Sequence, residues 1–122
     1  MQKAISPYIL QQIMEHPLQG QSTELNDNCI SLYVAQRGKC AVCKEPLRLG
    51  DMQVHHLIPK SSGGKDNYNN LALVMGDAHR LIHAVDSEII RKYLDKLGCC
   101  KINMAKLNKF RVLAGNCKIE YR

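Results

Sequence analysis

The chain has 122 residues, of which 45% are hydrophobic and 23% charged, a composition typical of one globular domain with a single modest core. It contains no run of about 18 apolar residues, which excludes a membrane-spanning helix, and its first residues lack the cleavage site of a signal peptide. One Phe and no Trp leave few rings for stacking single-stranded bases, so contact with a nucleic-acid backbone is favoured over stacking. We therefore expect a cytoplasmic protein.

The net charge of +6 is unevenly distributed along the chain. Residues 1–90 contain 8 basic and 9 acidic residues, whereas residues 91–122 contain 9 basic and 2 acidic residues. The whole excess lies in the last quarter, which indicates a polyanionic partner there. A solvated basic face without a partner is the alternative.

The N-terminal part predicts two helices. Ser6 followed by Pro7 is a good helix start, and an apolar stripe then continues until the chain reaches Pro17. Residues 17–28 are polar and predict a loop. A second helix is expected over about 29–37, capped by Asn26 or Asp27, followed by Gly38, and with Cys29 on its apolar side.

The middle and the end of the chain predict an α+β fold. Residues 39–58 are expected to form a β-hairpin that turns at 49–51, and a loop with two adjacent glycines follows over 59–69. The segment NLALV predicts a short strand or turn. Asp77 is a plausible cap for a helix over about 78–85, and two further helices are expected over about 87–97 and 103–114.

Four of the five histidines fall in two pairs within 29 residues: His55, His56, His79 and His83. His79 and His83 are four residues apart, so on a helix both imidazoles project from one face and can share a metal ion. Adjacent residues of a strand point to opposite faces, so His55 and His56 can divide the roles of ligand and proton acceptor. Four unrelated core or surface histidines are the alternative.

Phosphodiester hydrolysis needs such a combination of groups. A base must take a proton from water, and a metal ion must neutralise the charge that develops on the phosphate. Gly63 and Gly64 would let the loop backbone approach a nucleic-acid strand, with Lys60 and Lys65 as phosphate contacts. Ordinary solvated loop lysines are an equally good interpretation of those two residues.

The stretch HHLIPKSSGGKDNYNNLALVMGDAHRLIH resembles the motif of HNH endonucleases in residue types, order and spacing. The resemblance implies a ββα-metal (His-Me finger) core that cleaves DNA. It implies His56 as the general base and His55, His79 and His83 as ligands of one divalent ion: Mg²⁺ or Mn²⁺, with Zn²⁺ or Ni²⁺ as further candidates. Asn70 matches the Asn that orients the base, and Asn69 is the alternative for that position.

The resemblance also organises the chain into three parts. Residues 1–38 are expected to be an N-terminal helical segment, residues 39–86 the nuclease core, and residues 87–122 basic helices packing on that core. Double-stranded DNA is the expected partner, and the expected contacts are Lys60, Lys65, Arg80, Lys106, Lys109 and Arg111.

A longer resemblance involves the flanking segments SPYIL, ELNDN, SLY and KYL. They are similar to the C-terminal endonuclease region of bacterial group II intron-encoded reverse transcriptases. That resemblance implies a nuclease that cleaves the second DNA strand at the intron target. It also implies intron RNA and a reverse transcriptase/maturase domain as partners.

The cysteines depart from the HNH pattern. Cys40 and Cys43 form half of a structural zinc site, but Met75 and Ala78 stand where a second pair would supply the remaining ligands. Three interpretations remain open: small apolar residues packed in the core, a zinc site completed by Cys99, Cys100 or Cys117, or a disulfide under oxidising conditions. Without an export signal, a reduced compartment is favoured.

Other classes of protein share parts of this pattern. A nucleic-acid-binding module on an inactive HNH scaffold would be expected to lack His56, which is present here. A zinc-stabilised structural domain would need a complete cysteine set. A bacteriocin-like toxin nuclease has the same histidine motif, but the flanking helices favour the intron proteins.

Overall fold

The computed structural model describes residues 5–18, 20–97 and 102–119, and it confirms a mixed α+β fold. Its helices are α1 (Pro7–Glu15), α2 (Thr23–Ala35), α3 (Gly76–His83), α4 (Ser87–Lys96) and α5 (Met104–Leu113). Two strands, β1 (Met52–His56) and β2 (Leu71–Met75), pair antiparallel, with His55 opposite Ala72. No helix among the described residues is long and apolar enough to cross a membrane.

The two-stranded sheet is covered by helices, because β2 is almost entirely apolar and buried. Helix α2 packs against β2, whereas α3 contacts both strands and is itself covered by α4 and α5. Leu25 of α2, Leu73 of β2 and Leu107 of α5 belong to the same buried core. Strand β1 and helix α3, which packs on the sheet, are therefore supported from several directions.

The ends of several helices are as the sequence predicts. The Ser6 hydroxyl accepts a hydrogen bond from the Ile9 backbone N–H at the start of α1, with Pro7 in the first helical position. Helices α4 and α5 agree with the predicted ranges, and the side chains of Asp86 and Asn103 cap them. Gly38, which follows α2, has a left-handed φ of 71°.

The predicted start of α2 is wrong by six residues. The helix begins at Thr23, because the Ser22 hydroxyl accepts a hydrogen bond from the Leu25 backbone N–H. Glu24 lies in the first turn, where its negative charge interacts favourably with the positive end of the helix dipole. The polar composition of residues 17–28 concealed this cap.

The predicted hairpin over residues 39–58 is also wrong in its first half. That half is a tight loop in which the Lys44 backbone N–H bonds to the Cys40 carbonyl, with a single bridge between Lys39 and Pro46. The partner of β1 is instead β2, the segment predicted as a strand or turn. Asp77 does not cap α3, because the helix begins at Gly76 and leaves Asp77 inside its first turn.

Candidate active site

Three imidazoles converge between β1 and α3. Among the described residues, one group of His, Cys, Asp or Glu side chains has at least three potential metal-ligand atoms close together, and it consists of His55, His79 and His83. One ring nitrogen from each lies within 4.8 Å of the others. The His79 and His83 ring centroids are 4.9 Å apart, as expected for side chains on successive turns of one helix face.

His55 is the buried member of this group, with only 1% of its surface exposed. Its Nε2 is a buried polar atom without a hydrogen-bond partner in the described part of the chain. Burial, and then the neighbouring histidines, lower the pKa of His55 to about 3. A neutral, unpaired and buried imidazole nitrogen beside two others fits the requirements of a metal ligand.

The pKa values of the two helical histidines are also lowered, which disfavours their charged forms. Burial lowers the pKa of His79 to about 4, and the nearby His83 adds to the effect. The pKa of His83, which is exposed on one side, is lowered by the partial burial of its ring and then by the positive charge of Arg111. His79 Nδ1 is hydrogen-bonded to Gln53 Oε1, so Nδ1 carries the proton and Nε2 keeps its lone pair for an ion.

His56 lies on the opposite face of β1 from His55, which is the alternation of a strand. Its Nε2 is 2.8 Å from Asp66 Oδ1. The Lys60 ammonium is 3.5 Å from the same oxygen. His56 thus follows a member of the three-histidine group in the sequence, but its own ring is held by the carboxylate of Asp66 in the 59–69 loop.

Asp66 is the residue that sequence reasoning missed. Its Oδ2 accepts a hydrogen bond of 2.6 Å from the Ser22 hydroxyl, and its backbone carbonyl accepts one of 2.8 Å from Asn28 Nδ2. The hydrogen bond from Ser22, followed by the one from His56, lowers the pKa of Asp66 to about 2. The signal in the sequence was weak, since it is one acidic residue in a polar loop and its partner is 44 residues away.

Asn70 pins the loop that carries Asp66. Its Oδ1 accepts a hydrogen bond from the Ile58 backbone N–H, and its Nδ2 donates to the carbonyls of Ile58 and Lys65. Asn70 is buried, whereas Asn69 is exposed. The amide that spans the loop is thus that of Asn70.

Gly64 allows the same loop to close. A Cβ atom at this position would lie 1.7 Å from the Ile58 carbonyl oxygen and 2.9 Å from Asn70 Nδ2. Since the nearest atom is backbone, the clash could be relieved only by moving the loop. Glycine is required at position 64 because the Ile58 backbone leaves no room for a Cβ atom.

Gly64→Ala is expected to destabilise the protein by about 1–3 kcal/mol, as overpacked positions do, and to lower DNA cleavage by displacing Asp66. Thermal unfolding measures the first effect, at about 4 °C for each kcal/mol in a domain of this size. Gly50→Ala is the matched control, because nothing lies within 4 Å of a Cβ at that position. Equal melting temperatures for the two variants would show that the loop does not close as described.

Cys40 and Cys43 are both buried and both free thiols. The Met75 Sδ atom is 3.2 Å from Cys43 Sγ, and the Met75 backbone N–H donates to Cys40 Sγ at 3.4 Å. Met75 thus packs against the two sulfurs. It occupies a position where a complete zinc site would have another cysteine. Cys117 is exposed, and Cys99 and Cys100 lie outside the described residues. A zinc ion on Cys40 and Cys43 stays a proposal.

Most of the lysines and arginines expected to contact DNA are at the surface. Lys60 and Lys65 lie on the loop beside the site, and Lys106 and Lys109 are exposed on α5. Arg80 is exposed on α3 and donates a hydrogen bond of 2.9 Å from Nη1 to the Tyr93 hydroxyl.

Arg111 corrects the expectation for the last helix. Only 2% of its surface is exposed, and its Nη1 donates hydrogen bonds of 2.7 Å to the carbonyls of Leu81 and Ala84. Its Nε donates to the carbonyl of Cys117. The guanidinium is therefore occupied by the C-terminal carbonyls of α3 and cannot contact DNA.

Comparison with known proteins agrees with the fold and with this group of side chains. Residues 40–84 match the model of the family described as HNH endonuclease. The matched segment is a little more than a third of the chain and contains the sheet, α3, the four histidines and Asn70. The two-stranded sheet followed by α3 agrees with the ββα core of that family. A search of curated proteins found no match.

Proposed function

We propose that the protein is a metal-dependent endonuclease that hydrolyses DNA phosphodiester bonds, nicking or cleaving double-stranded DNA. One observation carries the proposal: three imidazoles converge within 4.8 Å beside a fourth that is held by a carboxylate. The family match over residues 40–84 supports a nuclease as the class of protein.

The proposed metal ligands are His55, His79 and His83. The unpaired Nε2 of His55 and the free Nε2 of His79 support this assignment. A divalent ion bound there would act as a Lewis acid and stabilise negative charge on the phosphate. Imidazole donors suit Zn²⁺ and Ni²⁺, and Mg²⁺ and Mn²⁺ are the other candidates.

The proposed general base is His56. Water attacks the phosphorus atom and gives a proton to His56, while the bond between phosphorus and the departing oxygen breaks and that oxygen takes a proton from solvent. Asn70 has no role in proton transfer. It fixes the loop on which the partner of the base lies, through its bonds to Ile58 and Lys65.

We further propose that exposed basic residues beside and beyond the site contact the DNA backbone. Lys60 and Lys65 are on the loop next to the histidines, and Arg80 is on α3 itself. Lys106 and Lys109 extend the surface along α5. Phosphate contacts of this kind position a nucleic acid without reading its sequence.

The finer proposal is that this nuclease serves group II intron mobility in a bacterial cytoplasm and cleaves the second DNA strand of the target. Its support is the similarity of the segments flanking the HNH motif to the endonuclease region of intron-encoded reverse transcriptases. Intron RNA and a reverse transcriptase/maturase domain would be the partners. Cleavage specificity would then come from pairing between RNA and DNA.

The test is cleavage of supercoiled plasmid by the full chain with Mg²⁺, Mn²⁺, Zn²⁺ or Ni²⁺, each compared with excess chelator. Nicked or linear product that forms with an ion and disappears with the chelator is the expected result. DNA binding without cleavage under all four ions would instead identify an inactive binding module. Cleavage that survives the chelator would contradict the proposed metal dependence.

A further inference from the structure

The first inference deepens the proposed function and rests on it: we infer that Asp66, held by Ser22 of the α2 cap, is the positioning residue that fixes the tautomer of His56. Asp66 lies in the loop of the HNH segment, whereas Ser22 lies before residue 40, outside the family match. The hydrogen bonds from Ser22 to Asp66 and between Asp66 and His56 are 2.6 Å and 2.8 Å long.

The direction of the second hydrogen bond follows from the chemistry of the carboxylate. An ionised carboxylate can only accept, so His56 Nε2 must carry the proton that it shares with Asp66 Oδ1. The neutral ring then leaves Nδ1 unprotonated. A base needs that free lone pair, and no hydrogen bond to Nδ1 is found in the described part of the chain.

Asp66 is itself held by three contacts, two to its carboxylate and one to its backbone. Ser22 Oγ donates to Oδ2, the Lys60 ammonium lies 3.5 Å from Oδ1, and Asn28 Nδ2 holds the Asp66 backbone carbonyl. Ser22 and Asn28 both belong to the α2 region, so this helix connects the base to the rest of the protein. A ring held in one tautomer loses less freedom in the transition state than a free one.

Asp66→Asn is the test, with the full chain and with Mg²⁺ present. Long-range ¹H–¹⁵N NMR spectra at about pH 8.5, where imidazoles are neutral, report which ring nitrogen carries the proton. The wild type is expected to show a single Nε2–H form of His56, and the variant a mixture of both forms. Plasmid cleavage should lose about 10- to 100-fold in kcat with little change in KM, as for other residues that orient a functional imidazole.

Ser22→Ala provides a second variant, because it removes the bond to Asp66 but keeps the carboxylate. It also removes a helix cap, so Ser6→Ala, which removes the cap of α1, is its matched control. Ser22→Ala should shift the tautomer and lower kcat, whereas Ser6→Ala should do neither.

An unchanged Nε2–H form in Asp66→Asn would overturn the inference whatever the cleavage rate. A shifted tautomer in a protein that never cleaves DNA would overturn the proposed function, and would leave the role of Asp66 in fixing the ring supported. The NMR readout therefore separates the two failures.

A second inference rests on a different part of the molecule. Four basic residues line one cavity of about 340 Å³ near the C-terminal end of α2: Arg37, Lys39, Lys44 and Lys106. They come from the end of α2, from the loop that carries the cysteines, and from α5. No acidic residue lines the cavity, and none of the four takes part in an ion pair among the described residues.

The backbone that holds these cations is fixed. The Gln36 side chain bonds to the carbonyls of Lys39 and Leu73 and to the Leu73 backbone N–H, and thereby joins α2 to β2. Arg37 and Lys44 have left-handed φ values of 57° and 64°, which non-glycine residues adopt only when surrounding structure holds them. Four like charges kept together without an acidic partner favour an anion.

We propose that this cavity binds phosphate groups of a nucleic-acid backbone. It shares no lining residue with the pocket around His55, His56, His79 and His83, and of its four cations only Lys106 is among the DNA contacts proposed above, so it would extend the contact beyond them. The charge distribution of the sequence did not indicate it, because three of its four cations lie in residues 1–90, where acidic and basic residues nearly balance.

The test compares a Lys39→Gln/Lys44→Gln variant, whose two cations are not among the DNA contacts proposed above, with an Arg48→Gln/Arg91→Gln variant, which loses the same charge from exposed positions elsewhere. Affinity for a DNA duplex is measured against salt concentration in the presence of a chelator. The cavity variant should lose about two units of salt slope relative to wild type, about one for each phosphate contact removed, and the control none.

Equal slopes for the cavity variant and wild type, or equal losses in both variants, would overturn the second inference. Inorganic phosphate is titrated separately by calorimetry. Tight binding of phosphate that Lys39→Gln/Lys44→Gln removes, with an unchanged DNA slope, would assign the cavity to free phosphate and overturn the nucleic-acid role.

Discussion

His56→Ala is expected to lower plasmid cleavage by about 10²- to 10⁴-fold, the range that a general base contributes. The substitution removes the proposed proton acceptor and leaves all three proposed metal ligands. Because His56 lies on the opposite face of β1 from His55, the ligand group should keep its geometry. Calorimetry should therefore give a metal affinity close to that of the wild type, and DNA binding should be nearly unchanged.

His16→Ala is the matched control for this experiment, because His16 is exposed at the end of α1 and apart from the four histidines of the site. It should cleave at the wild-type rate. Wild-type cleavage by His56→Ala would show that another group accepts the proton, and the role of Asp66 in positioning a base would fall with it.

His79→Ala and His83→Ala are expected to remove metal binding and cleavage together. Loss of a residue that only orients a ligand costs about 10- to 100-fold in metal affinity, so loss of one of three ligands should cost at least about 100-fold. Excess metal ion should restore cleavage more fully in His83→Ala than in His79→Ala. His83 is exposed, so water can more easily take its place as a ligand, whereas His79 is half-buried and bonded to Gln53.

Isothermal titration with Zn²⁺ and Mn²⁺, run beside the plasmid assay, measures both effects. His56→Ala is the internal control, since it should lose activity and keep the ion. Unchanged metal titrations for both His79→Ala and His83→Ala would mean that the ion, if it binds, binds elsewhere.

Local patterns of the sequence predicted the parts of the site that depend on one element. The spacing of His79 and His83 sets their common face once α3 forms, and the alternation of β1 separates His55 from His56. Ser6 and Pro7 likewise predicted the start of α1 because a cap depends on a few adjacent residues.

Features that depend on tertiary contacts could not be predicted in this way. Nothing near Asp66 in the chain indicates that Ser22 will bond to it. The predicted start of α2 at about residue 29 also left Ser22 in a loop, so its place at the start of the helix could not suggest the contact. Arg111 was predicted to contact DNA together with Lys106 and Lys109 because all three lie in the same basic segment. Its burial follows from the carbonyls of Leu81 and Ala84, which the sequence cannot show to be near.

The buried guanidinium of Arg111 bears on how far the HNH segment can be treated as a transferable module. Arg111 of α5 closes the C-terminal end of α3 directly after His83, and Ser22 at the start of α2 holds the carboxylate next to His56. A graft of residues 40–84 into another scaffold would carry every proposed ligand and the proposed base. It would leave behind both groups that hold them, so new supports would have to be designed into the host.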